Sequence, residues 1–158
     1  MKKLRIYLDT SVIGGCFDEE FREASEQLMD HIRLGIFTGL VSKVTIEELD
    51  GAPENVRQIL KQFDTEEVVQ LAQTEEVLSL AEAYLKAGVV PLRYEGDALH
   101  VAYATVYQAD AIVSWNFRHI VNLNRIHACN AVNLSQGYGM IEIRSPKELI
   151  YGKQEEGL

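Results

Sequence analysis

Three carboxylates, Asp9, Glu48 and Asp97, stand where they could do chemistry together. Asp9 ends the apolar run Leu4 to Leu8, which has the length and content of a buried strand. In an open α/β sheet ligands collect outside the carboxyl ends of the strands, so an acid at that point faces the ligand crevice. Glu48 lies in the short helical stretch S-K-V-T-I-E-E-L-D after a second strand, and Asp97 opens a helix that precedes a later strand. Carboxylates that converge repel one another unless a cation sits between them, and hard ions such as Mg²⁺ or Mn²⁺ take oxygen ligands. Each acid also has a plain structural reading. Asp9, Thr10 and Ser11 can cap a following helix, Glu48 can be a solvated helix residue beside Glu47, and Asp97 can sit in a first turn because the helix dipole favours it there.

The elements that would position these acids follow from periodicity. Gly14-Gly15 reads as a flexible break, followed by an amphipathic helix over 18–34 with Phe21, Ala24, Leu28 and Ile32 on one face. A strand over 36–41 leads into the short helix opened by Ser42, and a further helix runs from Pro53 to about Phe63. A strand at 67–71, a helix over 74–87 and a helix after Asp97 that is apolar nearly all round come next. The remaining elements are a strand over 111–114, a helix over 122–131 and a strand over 140–143. Ser145-Pro146-Lys147-Glu148 then has Ser at the N-cap, Pro at N1 and Glu at N3 of a last helix. Strands alternating with helices imply parallel βαβ units and an α/β fold, a three-layer α/β/α sandwich around a mostly parallel sheet.

With 158 residues the chain fits one domain, taken as residues 1–152, with 153–158 as a flexible tail. Cys16 and Cys129 lack metal-ligand spacing, and a reduced, cytoplasmic setting follows. The charged start runs into only a short apolar stretch broken by Arg5 and Asp9, which argues against a signal peptide, and no apolar run is long enough to span a membrane. A net charge of -9 counts against a nucleic-acid partner. The count is inflated by any acids gathered at a metal site, where bound ions reverse the local sign.

The segments Y-L-D-T-S-V-I-G-G (7–15), S-K-V-T-I-E-E-L (42–49), D-A-L-H-V-A-Y-A (97–104) and I-V-S-W-N-F-R-H-I (112–120), in that order, resemble a PIN-domain protein of the VapC-like toxin type. The tail from Ala131 to Leu149 has the same look. The resemblance implies a sheet of about five strands and a metal-dependent endoribonuclease site, with Asp9, Glu48 and Asp97 holding Mg²⁺ or Mn²⁺. It implies in-line hydrolysis of RNA to 5′-phosphate and 3′-hydroxyl ends. Ser11 and Ser114 match hydroxyl positions that assist metal or phosphate binding, and Thr10 could steady a phosphate beside Ser11. A cognate antitoxin and a homodimer are further family expectations. One residue departs from the pattern: Asn116 stands where many members carry a fourth acid, so it either offers a carbonyl oxygen to an ion or serves as a turn residue bonded to its own backbone. Asp110 cannot replace it, being at the other end of its strand.

Arg118 and His119 are either RNA-backbone contacts or ordinary surface residues. His100 invites a general-base role but reads as a satisfied structural histidine on the polar arc of its helix. His31 and His127 have no partner at metal-ligand spacing. Trp115 and Phe117 either stack on bases or anchor the core. The chain is thus expected to be a ribonuclease, with two other readings open: a PIN-fold RNA-binding or protein-interaction module that has lost catalysis, and another Mg²⁺-dependent phosphotransfer enzyme or phosphatase.

Overall fold

The computed structural model describes residues 2–150; the expected tail at 153–158, and the domain boundary at 152, lie outside them. Five strands, β1 (Leu4–Leu8), β2 (Phe37–Ser42), β3 (Val68–Leu71), β4 (Ala111–Val113) and β5 (Ile143–Arg144), form one sheet in the order β3-β2-β1-β4-β5. All four pairings are parallel. Helices are interleaved with them among the described residues: α1 (Thr10–Gly15), α2 (Arg22–Arg33), α3 (Lys43–Asp50), α4 (Glu54–Lys61), α5 (Glu75–Lys86), α6 (Glu95–Val106) and α7 (Leu123–Ser135). Residues 146–150 are also helical.

Both faces of the sheet are covered, which is why its strands read as continuous apolar runs rather than alternating ones. Ile6 and Leu8 of β1, Phe37 and Val41 of β2, and Ala111 and Val113 of β4 pack with α1, α2 and Ile150 on one face. The intervening residues Tyr7, Leu40 and Ile112 pack with α5, α6 and α7 on the other. The chain runs outward from β1 to β3, then crosses back to β4 on the far side of β1. The strand order therefore reverses between β1 and β4, and the crevice at their carboxyl ends is the place such sheets reserve for ligands.

Four boundaries differ from the sequence expectation. Gly14-Gly15 is no break: both glycines are helical in α1, and the turn to α2 falls at 16–21. A Cβ on Gly15 would lie 2.5 Å from Ser25 Oγ and 2.8 Å from Trp115 Nε1, so Gly15 is there for close approach to that hydrogen-bonded pair. Helix α2 consequently starts at Arg22 rather than Asp18. Helix α7 continues to Ser135, past the expected end at Ala131, because its polar residues are used inside the protein. Asn133 bonds Tyr84 and Thr105, and Asn130 donates to Ile141 O and accepts from Ile141 N. Those bonds to Ile141 stand where sheet pairing was expected, so β5 begins only at Ile143 and Met140 is exposed. The final helix start is as anticipated, with Ser145 N donating to Glu148 Oε2 at 2.9 Å.

Gly15→Ala is expected to lower the unfolding free energy by about 1–3 kcal/mol through overpacking. Gly14→Ala, where a Cβ meets nothing within 4 Å, raises it by up to about 1 kcal/mol by helix propensity. Urea denaturation of the two variants checks the pair.

Candidate functional site

Asp9 occupies the N-cap position of α1, yet its side chain makes no cap bond, which removes the plain structural reading of that residue. Its backbone N–H is instead tied across to Val113 O, and its carboxylate is held by side chains from α1 and from the residue after β4. Ser11 Oγ donates to Asp9 Oδ2 at 2.6 Å and Ser114 Oγ donates to the same oxygen at 2.7 Å. Each hydroxyl is locked in turn: Trp115 N donates to Ser11 Oγ and Asn116 N to Ser114 Oγ, both at 2.9 Å. A hydroxyl has one proton to give. Those of Ser11 and Ser114 are given to Asp9, whose Oδ1 is left facing the cleft and His100.

Glu48 reaches the same place from α3, whose start is set by Ser42, with Ser42 N donating to Thr45 Oγ1 at 3.2 Å. Thr10 Oγ1 donates to Glu48 Oε1 at 2.9 Å. Asp97 arrives from the first turn of α6. These acids line one cleft of about 420 Å³ at the β1–β4 switch point, together with Thr10, Ser11 and Asn116. A separate groove of about 470 Å³ between α3 and α4 brings no such group of acids together; its charges, Asp50, Glu54, Arg57 and Lys61, are of both signs.

His100 has the satisfied ring expected of it, but not the expected place. It is not on a polar arc but fully buried, and it sits directly beneath the acids. Its Nε2 is 2.5 Å from Glu48 Oε1 and 3.3 Å from Asp9 Oδ1. Its Nδ1 is 2.7 Å from Tyr7 Oη, which is 2.7 Å from Ser42 Oγ. Burial works against a charge on this ring, but Tyr7, the bond to Glu48 and the charges of Asp9 and Glu48 together hold its pKa well above 6.5. The imidazolium is thus the cation that the sequence did not foretell. For Glu48, burial raises the pKa, while the bond and charge of His100 and the Thr10 bond outweigh it and leave it below 4.5. The signal for His100 was available: residues three apart share a helix face, so His100 had to accompany Asp97. Tyr7 was legible too, since a tyrosine in a buried strand needs a partner for its hydroxyl.

Asn116 does two things at once. Its Oδ1 accepts from His119 N at 2.9 Å, as a turn residue would, and its Nδ2 points to Asp97 Oδ2 at 3.4 Å. The His119 N–H requires the oxygen on the loop side, so this network assigns the amide's orientation. Arg118 is exposed and does not line the cleft; it belongs to a depression beside the start of α7. His119 is not a surface residue but is 9% exposed, its ring 4.0 Å from that of Tyr94. Trp115 anchors the core, donating from Nε1 to Ser25 Oγ and stacking on Phe21, whereas Phe117 is half exposed. Asp110 is at the far end of β4, accepting from Arg5 N at 2.7 Å. His31 is tied to Gln27 O within α2, and both cysteines are free thiols in the interior.

The donor set suits a divalent cation. Asp9 and Glu48 offer carboxylate oxygens within 4.8 Å of one another and Asp97 lines the same cleft, while His100 Nε2, equally near, is a ligand only once its proton has been lost. Asp97 registers the crowding: burial first, then the charge of Asp9 and to a lesser degree that of Glu48, raise its pKa from 3.8 to about 6, with His100 and Asn116 opposing.

Such a molecule is a doubly wound α/β protein with an acidic cleft at the topological switch point. A family model described as PIN domain matches residues 5–118, most of the chain, and the chain belongs to the PIN-domain family. Among solved structures it resembles a chain in the crystal structure of VapBC2 from Rickettsia felis bound to a DNA fragment from their promoter. The TM-score is 0.56 over 90% of this chain and 98% of that one, at 10% sequence identity, a likeness of fold. No curated protein matches the sequence. Among the described residues no helix is long and apolar enough to cross a membrane.

A carboxyl whose pKa is higher in the folded than in the unfolded chain stabilises the fold at low pH, fully below 3.8 for Asp97, and this is lost as pH rises through about 6. Asp97→Asn is therefore expected to raise the melting temperature of metal-free protein by about 2–4 °C at neutral pH, with the gain shrinking as pH falls through about 6 and vanishing near 3.8. Differential scanning calorimetry across that range checks it.

Proposed function

We propose that this chain is a divalent-metal-dependent endoribonuclease acting as the toxin half of a toxin–antitoxin pair, with Asp9, Glu48 and Asp97 holding Mg²⁺ or Mn²⁺. The observation that carries this is the meeting of the three acids in one cleft, on elements far apart in sequence. Family membership supports a nuclease, and the likeness of fold to a chain of VapBC2 accords with a toxin paired with an antitoxin protein; a homodimer belongs to the same proposal. A cytoplasmic setting accords with two free thiols in the interior.

When bound, the ion supplies Lewis acidity to the phosphodiester and acidifies water, which is the chemistry a hydrolysis at neutral pH needs. The remaining work belongs to the chain. Ser11 and Ser114 fix the Asp9 carboxylate so that Oδ1 faces the cleft, and Thr10 steadies Glu48. Asn116 donates to Asp97 and contributes no charge of its own, so the second half of the cleft is weaker in negative charge than four acids would make it. Below about pH 6 protons compete for Asp97, so ion binding weakens there. Asn116 also favours a second reading, a PIN-fold module that binds RNA or protein without cleaving.

Purified protein incubated with RNA and Mn²⁺ or Mg²⁺ is expected to cleave it, and Asp9→Asn to reduce the rate by about 100-fold or more. Equal cleavage by both proteins, or by neither, overturns the nuclease reading; RNA binding without cleavage by wild type selects the module.

A further inference from the structure

Asp and Glu outnumber Lys and Arg by 24 to 15, yet among the described residues six arginines, Arg5, Arg22, Arg57, Arg93, Arg118 and Arg125, find no carboxylate, and the last three lie around one ring. Arg93, Arg118 and Arg125 make no ion pair among the described residues, where the pairs use Lys2, Arg33, Lys43, Lys86, His100 and Arg144. They are also gathered. Arg118 and Arg125 line one depression, and Arg93 lies 5.1 Å over the Tyr94 ring, which packs on His119. Burial and then the charges of Arg118, Arg125 and Arg93 hold His119 below 6.5, so all three cations act on one ring. That ring's Nδ1 is buried without a hydrogen-bond partner. Like charges collected without counter-charge do not favour folding, and on an acidic chain they form a local field for an external polyanion.

This basic patch is joined to the acidic cleft by aromatic rings. Phe21 lines the cleft and stacks on Trp115 at 4.3 Å; Trp115 meets Phe117 edge-on at 6.2 Å; and Phe117 is 50% exposed. Along the loop, consecutive residues therefore belong to the cleft (Asn116), to an exposed ring (Phe117) and to the patch (Arg118). The loop is held in this arrangement by Asn122 Nδ2, which donates to Phe117 O at 3.1 Å and Arg118 O at 2.8 Å. An exposed ring can stack only on a base that is not already stacked in a duplex.

We propose that this strip is the track by which a single-stranded RNA leaves the cleft, a base resting on Phe117 and the following phosphates on Arg118, Arg125 and Arg93. It rests on the ribonuclease reading of the cleft and names the form of its substrate. The track binds any base at Phe117, because every base has a face to stack.

The test is fluorescence anisotropy of a short labelled single-stranded RNA in EDTA across a salt series, so that binding is read without cleavage. Each arginine replaced by glutamine is expected to flatten the slope of log K against log salt by about 0.7. Phe117→Ala weakens binding roughly tenfold while Phe117→Trp retains it, and the Phe117 effect is absent for the same sequence as a duplex. Arg118 and Phe117 are exposed, so those variants fold, and Arg118→Gln alone decides the salt slope if Arg125→Gln proves unstable. The inference falls if wild type does not bind, if the slope and affinity are unchanged in the arginine variants, or if Phe117→Ala affects duplex equally. It also falls if the arginine variants lose only an antitoxin protein and keep RNA. Binding with these effects but no cleavage on adding Mn²⁺ sinks the ribonuclease reading and leaves the track standing; cleavage with unaltered variants does the reverse.

Discussion

A pocket built from three carboxylates has to be kept from pushing itself apart, and the way this chain does so organises everything around it. Asp9 is gripped by two hydroxyls on one oxygen, and Glu48 is gripped by Thr10 and His100. The buried imidazole supplies positive charge beneath both. Asp97, which has only an amide beside it, carries the residual strain as a raised pKa of about 6. The unequal treatment is physical: at Glu48 the bond and charge of His100 with the Thr10 bond outweigh burial and lower the pKa, whereas Asp97, desolvated and facing its neighbours' charge, resists ionisation.

The gripping depends on the sheet. Asp9 and Ser114 follow adjacent parallel strands whose register pairs Leu8 with Val113, so the two side chains leave the sheet at the same level. Ser42 ends β2 on the other side and closes the chain from Tyr7 to His100. Neither the cleft nor the buried relay below it exists in any one segment; both are products of strand order, with β1 in the centre. The VapBC2 likeness at 10% identity fits this view, since what is shared at that distance is the arrangement of elements rather than the residues.

Much of this was legible in the sequence. The strand runs, the helix of 95–106 that is apolar nearly all round, the α3 start at Ser42 and the positions of the three acids follow from periodicity, capping chemistry and motif order. What was misread turned on tertiary context. Gly14-Gly15 looked like punctuation because glycine usually is, and only the Trp115–Ser25 pair packed over Gly15 reveals its use. The end of α7 was hidden because Asn130 and Asn133 have poor helix propensity, and their compensation comes from partners far away in sequence. His100 was assigned to a polar face because polar residues on helices usually point outward, although its spacing from Asp97 already said otherwise. Arg118 was left as either an RNA-backbone contact or a surface residue, and the turn after Asn116 carries it out of the cleft to the next depression.

Asn130 shows what a single side chain can do at the border of a sheet. By receiving the N–H of Ile141 and donating to its carbonyl, it gives that residue both bonds a neighbouring strand would provide. The outermost strand is thereby cut to two residues, Ile143 and Arg144. A long, flat rim with unused peptide groups invites another chain to zip onto it. Here the strand on that side is too short to serve as a template for edge-to-edge pairing.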